Sequence, residues 1–297
     1  MAIFSDLANS LRSELVWSDK IMTLSTGAKA SLIISVYKNT RFLKAVLDSV
    51  AQQTWREFEV IISEDGESEE MRQFLDSNSF DFSITHLTQE DVGWRKNQAL
   101  NRAILAAKAD WLVFIDGDCV LHPRFMEFHW KLRGENMILA GKRIKLDEET
   151  SQLLLNGQVK LEEMNALIRK RSGAIKKNGG GFVEEGIFID PKGLLGFIPK
   201  LRKMRHLKGC NMSFHRDAIL AINGFDEDYI KPAVGEDADL LWRFQGLGYE
   251  LKSLRNLAVQ YHLYHKESWT DQEENLAIMR KNQAERRFVC KNGIKKI

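Results

Sequence analysis

The stretch "FIDGDC" (114–119) places two acids, Asp116 and Asp118, straight after the apolar run "WLVFI". Unpaired carboxylates at the end of a buried strand cost several kcal/mol or lose their charge by protonation. A divalent cation removes that cost, because hard carboxylate oxygens suit Mg2+ or Mn2+, ions that keep some waters and bind the phosphate oxygens of a substrate. The plainer reading is an acid pair in an Asp-Gly turn, and the D-x-D spacing alone does not choose between the two. A third acid, Asp237 in "GEDADLLWRF", stands three residues before Leu240 and four before Leu241, so on a helix it shares their face. It is a candidate base, or else a helix-start carboxylate favoured by the macrodipole. Asp239, four before Arg243, is expected to form an ordinary exposed ion pair.

These acids need elements to hold them. "SLIISV" (31–36), "FEVIIS" (58–63) and "WLVFI" (111–115) read as strands covered on both faces. Leu43, Val46, Leu47 and Val50, and again Leu100, Ala103, Ile104 and Ala107, form helical stripes between them. Strand, helix, strand, helix, strand predicts a parallel sheet with right-handed crossovers. Ligands bind beyond the carboxyl ends of such strands, so "SVYKNT", "SEDGES" and "DGDC" are expected along one edge. The patterning loosens over 134–207, where 149–171 reads as helix, 172–182 is rich in glycine and lysine, and 197–209 mixes apolar and basic residues; this segment is expected to be an insertion on the acceptor side. The domain runs over 30–265, between an extension at 1–29 and a helical tail at 266–297.

At 297 residues the chain has room for one large α/β domain. With 43 Lys+Arg against 41 Asp+Glu, nothing in the overall charge points to nucleic acid. Cys119, Cys210 and Cys290 lie far apart without C-x-x-C spacing, which fits neither a zinc site nor a disulfide framework and suits a reducing compartment; Cys119 and Cys210 read as small packing residues. No apolar stretch reaches spanning length and the first 30 residues lack a signal-peptide pattern, so a cytoplasmic protein is expected, with peripheral membrane contact as its one route to a bilayer.

Taken together, "ASLIISVYKNTRFLKAVLDSVAQQTWREFEVIISEDGES", "GWRKNQALNRAILAAKADWLVFIDGDC" and "GCNMSFHRDAILAINGFDEDYIKPAVGEDADLLWRFQGLGYEL" resemble the family-2 glycosyltransferases, over about 30–130 and 209–265. The resemblance implies a GT-A fold, a mostly parallel central sheet flanked by helices, a nucleotide-diphosphate-sugar donor (UDP by resemblance only), a divalent metal and inversion at the anomeric carbon. Glu64 stands where the family usually has the first Asp of D-D-G-S, and Lys38 comes between Tyr37 and Asn39.

Carried over residue by residue, the resemblance implies that Val36, Tyr37, Asp65 and Glu64 meet the nucleoside, and that Arg95 holds the diphosphate at the start of a helix. Lys96 is expected to be a solvated charge. Asp118, assisted by Asp116, would hold Mn2+ or Mg2+, with His262 ahead of His265 in "VQYHLYH" as a further ligand. Asp237 would be the catalytic base, with Glu236 orienting the site and Asn211 reaching donor sugar or acceptor. The acceptor is expected to be a glycan or a lipid-linked glycan. The rival readings are a sugar-nucleotide pyrophosphorylase, which lacks its glycine-rich phosphate loop here, and a nucleotide-sugar-binding protein without turnover. The run Lys200, Arg202, Lys203, Arg205 and Lys208 reads as a solvated face, with an anionic lipid surface as its alternative.

Overall fold

The computed structural model describes residues 27–232, 236–266 and 271–297; the remainder of the 1–29 extension lies outside them. In chain order the elements are β1 (Ala30–Val36), α1 (Thr40–Ala51), β2 (Phe58–Glu64), α2 (Glu69–Ser77), β3 (Ile84–Leu87), α3 (Lys96–Ala106), β4 (Trp111–Asp116), β5 (Cys119–Leu121) and α4 (Phe125–Lys131). There follow β6 (Met137–Ala140), β7 (Arg143–Lys145), α5 (Glu148–Leu155), α6 (Met164–Lys177), α7 (Ile198–Leu201), β8 (Asn211–His215) and α8 (Arg216–Ala221). The last are α9 (Glu236–Gly246), β9 (Glu250–Ser253), β10 (Gln260–His262) and α10 (Glu273–Ala284).

Seven strands form the main sheet in the order β3-β2-β1-β4-β8-β6-β9. Only β8 runs against its neighbours β4 and β6. Because β1 is apolar at nearly every position, it feeds two cores. Leu32 and Ile34 pack with Leu43, Val46, Leu47 and Val50 of α1 on one face. Ile33 packs with Leu100, Ala103 and Ile104 of α3 on the other. Asn39 starts α1 by accepting from the Phe42 amide at 3.0 Å, a side-chain cap for an otherwise orphan donor. The expected edge is present: Ser35 is in register with Ser63 of β2 and with Asp116 of β4, so the three strands end together.

The segment 134–207 is built into the sheets rather than set apart from them. β6 pairs with both β8 and β9 in the main sheet. β7 joins a second, three-stranded sheet of order β5-β10-β7. The helix expected over 149–171 is broken: α5 ends near Asn156, Gly157 takes φ 65°, and α6 starts afresh at Met164. Glycine adopts that left-handed backbone without the Cβ clash other residues meet.

Candidate active site

The small sheet places the second acid. β5 begins one residue after Asp118, and its Cys119 is in register with His262 of β10, while the Asp118 carbonyl accepts from the Leu263 amide at 2.9 Å. Gly117 lets the chain make this exit: a Cβ there would lie 2.6 Å from Val36 Cγ1, and its amide donates to the Ser35 carbonyl at 2.8 Å. As a result Asp118 Oδ2 lies 3.3 Å from His262 Nε2 and 3.2 Å from His265 Nε2, and the two nitrogens are 3.3 Å apart. Burial opposes ionisation of Asp118, but hydrogen bonds from His262 and His265, with the charge of Arg143, outweigh it and hold the carboxyl well below its usual range. The hydrogen bond to Asp118 raises His265, against partial burial.

One oxygen and two imidazole nitrogens, each about 3 Å from the others, match the edges of a coordination shell with bonds of about 2.0–2.1 Å. Carboxylate with two neutral imidazoles suits Mn2+ better than Mg2+, which prefers an oxygen shell. The donor set therefore fits a divalent cation held by Asp118, His262 and His265 together, with no need to choose one histidine.

Asp116 faces elsewhere. Lys96 Nζ donates to its Oδ1 at 2.9 Å and Arg143 Nη1 to its Oδ2 at 3.1 Å. This corrects the reading of Lys96 as a solvated charge: as the first residue of α3 it is carried to the β4 edge. Arg143 was invisible in sequence because β7 is three residues long; the only signal was the short polar-apolar-polar alternation "RIK". Burial disfavours its charge, but Cys210, Cys119, Asp116 and Asp118 around it raise the guanidinium above its ordinary value. Both cysteines are buried, as expected of packing residues, and Cys119 Sγ donates to Asp118 Oδ1 at 3.2 Å.

The other expected residues divide. Val36 is buried at the end of β1, and Tyr37 is exposed, its hydroxyl 3.5 Å from Asp91. Asp65 accepts from Gln89 Nε2 at 2.7 Å and from the Arg95 amide at 2.9 Å, bracing the approach to α3. Glu64 is buried against the Ser68 amide and His86. The Arg95 guanidinium turns to the Glu90 carbonyl rather than to Asp116, where Lys96 stands instead. Asn211 is a correction in position: fully buried, it donates to the Lys142 and Ala258 carbonyls, accepts from His129 and fills the space left by Gly141. Its amide is spent on joining strands.

Asp237 sits in the first turn of α9, partly exposed, 3.9 Å from Lys208 Nζ; the side chain of Glu236 lies outside the described residues. The Asp239–Arg243 pair is not exposed. Both are buried, 2.5 Å apart, with Tyr229 donating to Asp239 and Arg243 donating to the Ile222 and Gly224 carbonyls. The 222–229 stretch covers that face, which spacing within the helix cannot reveal.

Residues 31–181 match the family model described as glycosyl transferase family 2, and residues 199–266 match the one described as the N-terminal domain of galactosyltransferase. The chain belongs to glycosyl transferase family 2. Among relatives of this family-2 chain, the chondroitin synthase of Escherichia coli is 23% identical over 247 residues, covering 78% of this chain and 34% of its own length. The uncharacterized glycosyltransferase YfnE of Bacillus subtilis is 27% identical, covering 84% of this chain and 69% of its own length. The chain thus spans about a third of the first and two thirds of the second. S. aureus TarS in complex with UDP-GlcNAc superposes with a TM-score of 0.57 at 15% identity, over 86% of this chain and 66% of that one. The mannosyltransferase PcManGT from Pyrobaculum calidifontis, in complex with GDP-Man and Mn2+, gives 0.52 at 14% identity over 90% and 66%. These likenesses show the GT-A fold.

Proposed function

We propose that this glycosyltransferase moves a hexosyl or N-acetylhexosaminyl group from a nucleotide diphosphate, UDP favoured, to a hydroxyl of a glycan or lipid-linked glycan, with inversion. The observation that carries the reading is the meeting of Asp118, His262 and His265 beside Lys96 and Arg143 at the carboxyl edge of the sheet. That edge is where an open α/β sheet binds ligands, and these groups suit a diphosphate. The relatives' names support a UDP-sugar and a polysaccharide product: chondroitin synthases, a hyaluronan synthase and TarS with UDP-GlcNAc.

In this reading Val36, Tyr37 and Asp65 line the nucleoside side. Lys96 and Arg143 exchange part of their hold on Asp116 for the diphosphate and neutralise it as it leaves. Asp237 takes the proton of the acceptor hydroxyl while that oxygen bonds to the anomeric carbon and the bond to the diphosphate breaks. Asp118, His262 and His265 would hold a divalent cation, which would supply Lewis-acid neutralisation of the same leaving group.

The test is nucleotide release from a panel of UDP- and GDP-sugars with Mn2+, Mg2+ or chelator, with and without glycan acceptors, on wild type and Asp237→Asn. Metal-dependent release from one donor, lost in the variant, is expected. Donor binding without release under every condition, acceptors included, supports a binding protein and overturns the reading.

A further inference from the structure

Residues 191–209 hold Lys192, Lys200, Arg202, Lys203, Arg205 and Lys208 and no acid. The apolar residues of this segment face two ways. Pro199, Met204 and Leu207 are buried against the body of the domain. Leu194, Leu195, Phe197 and Leu201 are turned outward, 94%, 49%, 56% and 72% exposed. Singly exposed apolar side chains are normal, but four within eight residues, interleaved with cations, suit an interaction surface. The base of the segment is pinned: Arg202 bonds Asn256 at 2.6 Å and buried Glu185 at 3.0 Å, and Arg255 bonds the same Glu185. Lys200, Lys203 and Arg205 have no carboxylate partner among the described residues. At the far end, Lys208 reaches Asp237, so the surface borders the proposed catalytic helix.

We propose that residues 192–205 dock this protein on an anionic bilayer surface. Lys200, Lys203 and Arg205 meet headgroup phosphates, and Leu194, Phe197 and Leu201 enter the boundary beneath them, the division of labour of an interfacial anchor. Charge selects the occupant. A two-fold contact with a second copy would set this patch against itself and oppose like charges, whereas an anionic membrane answers both its cations and its apolar side chains. The proposal goes beyond sugar transfer and stands or falls independently of it, because binding to vesicles needs no turnover.

The test is flotation of the full chain with vesicles of phosphatidylcholine alone and of phosphatidylcholine with phosphatidylglycerol, at low and high salt. Binding to the phosphatidylglycerol vesicles alone, weakened by salt, is expected. The triple variant Lys200→Glu/Lys203→Glu/Arg205→Glu should bind about a hundredfold more weakly or worse, and Leu194→Ser/Phe197→Ser/Leu201→Ser at least about tenfold more weakly. Lys29→Glu, at the amino-terminal edge of β1, should change nothing. All these side chains are at the surface, and an unchanged circular dichroism spectrum checks that each variant is folded. No flotation of wild type, equal binding to both vesicle types, or variants that alter only self-association in sedimentation would each overturn the proposal, the first leaving an acidic protein and the last a second copy as occupant.

Discussion

Asp116 is shared between Lys96 and Arg143, one oxygen each, and this division assigns distinct outcomes to neighbouring residues. A hydrogen bond between charged groups contributes about 1.5–3 kcal/mol, so Lys96→Ala and Arg143→Ala should each weaken UDP binding by roughly ten- to a hundredfold in calorimetry. Arg95→Ala should weaken it far less, since that guanidinium is held on Glu90. Asp118→Ala removes the one oxygen of the cation set and should abolish Mn2+ binding, read by electron paramagnetic resonance, while Asp237→Asn should leave Mn2+ binding intact and lower turnover by about 10²–10⁴-fold. Asp118, His262 and His265 could be picked out as a candidate set in sequence because residue type announces their chemistry, and the fold brings them together. That Lys96 and not Arg95 reaches Asp116 was not legible, because it depends on which way the first turn of α3 faces.

The α9 helix is fastened to the body through charge. Asp239 and Arg243 are buried together, and Tyr229 completes the network. Removing one partner of a buried pair leaves an uncompensated charge and costs about 3–5 kcal/mol. Arg243→Met should therefore lower stability by that amount in urea unfolding, whereas Asp239→Leu/Arg243→Met should recover most of the loss. Equal losses in the single and double variants would show that the charge is not the cause. Spacing of four residues made the pair legible, but its burial comes from 222–229, elsewhere in the chain. Long periodic elements such as β1, α1 and β4 were readable for the opposite reason: each carries its own pattern of burial. Strands of three or four residues, β6 and β7 among them, are too short to show a period.

Among the described residues, His122 and His129 work against stability in acid, while His265, raised by its hydrogen bond to Asp118, works the other way. Burial lowers His122 from 6.5 to about 4, with the charge of Arg124 adding to it, and lowers His129 to about 3. The unfolded chain takes up these protons near 6.5 and the folded one does not, so stability is lost as pH falls below that value. Burial raises Asp226 to about 6, and its folded-state proton uptake partly offsets the loss below that pH. The urea midpoint should fall between about pH 7 and 5, less so in His122→Phe, which keeps an aromatic ring against Phe188, and more so in Asp226→Asn. The small sheet has a different consequence, one of timing. Its pairing of Tyr261 with Val120 and Ile144 joins parts of the chain well over a hundred residues apart, and contacts that distant form late because the intervening loop must first be closed. On dilution from urea, helical signal should return before Mn2+ binding does; simultaneous recovery would contradict this order. During synthesis, too, β1 to β4 leave the ribosome long before His262, so the candidate cation site is completed late.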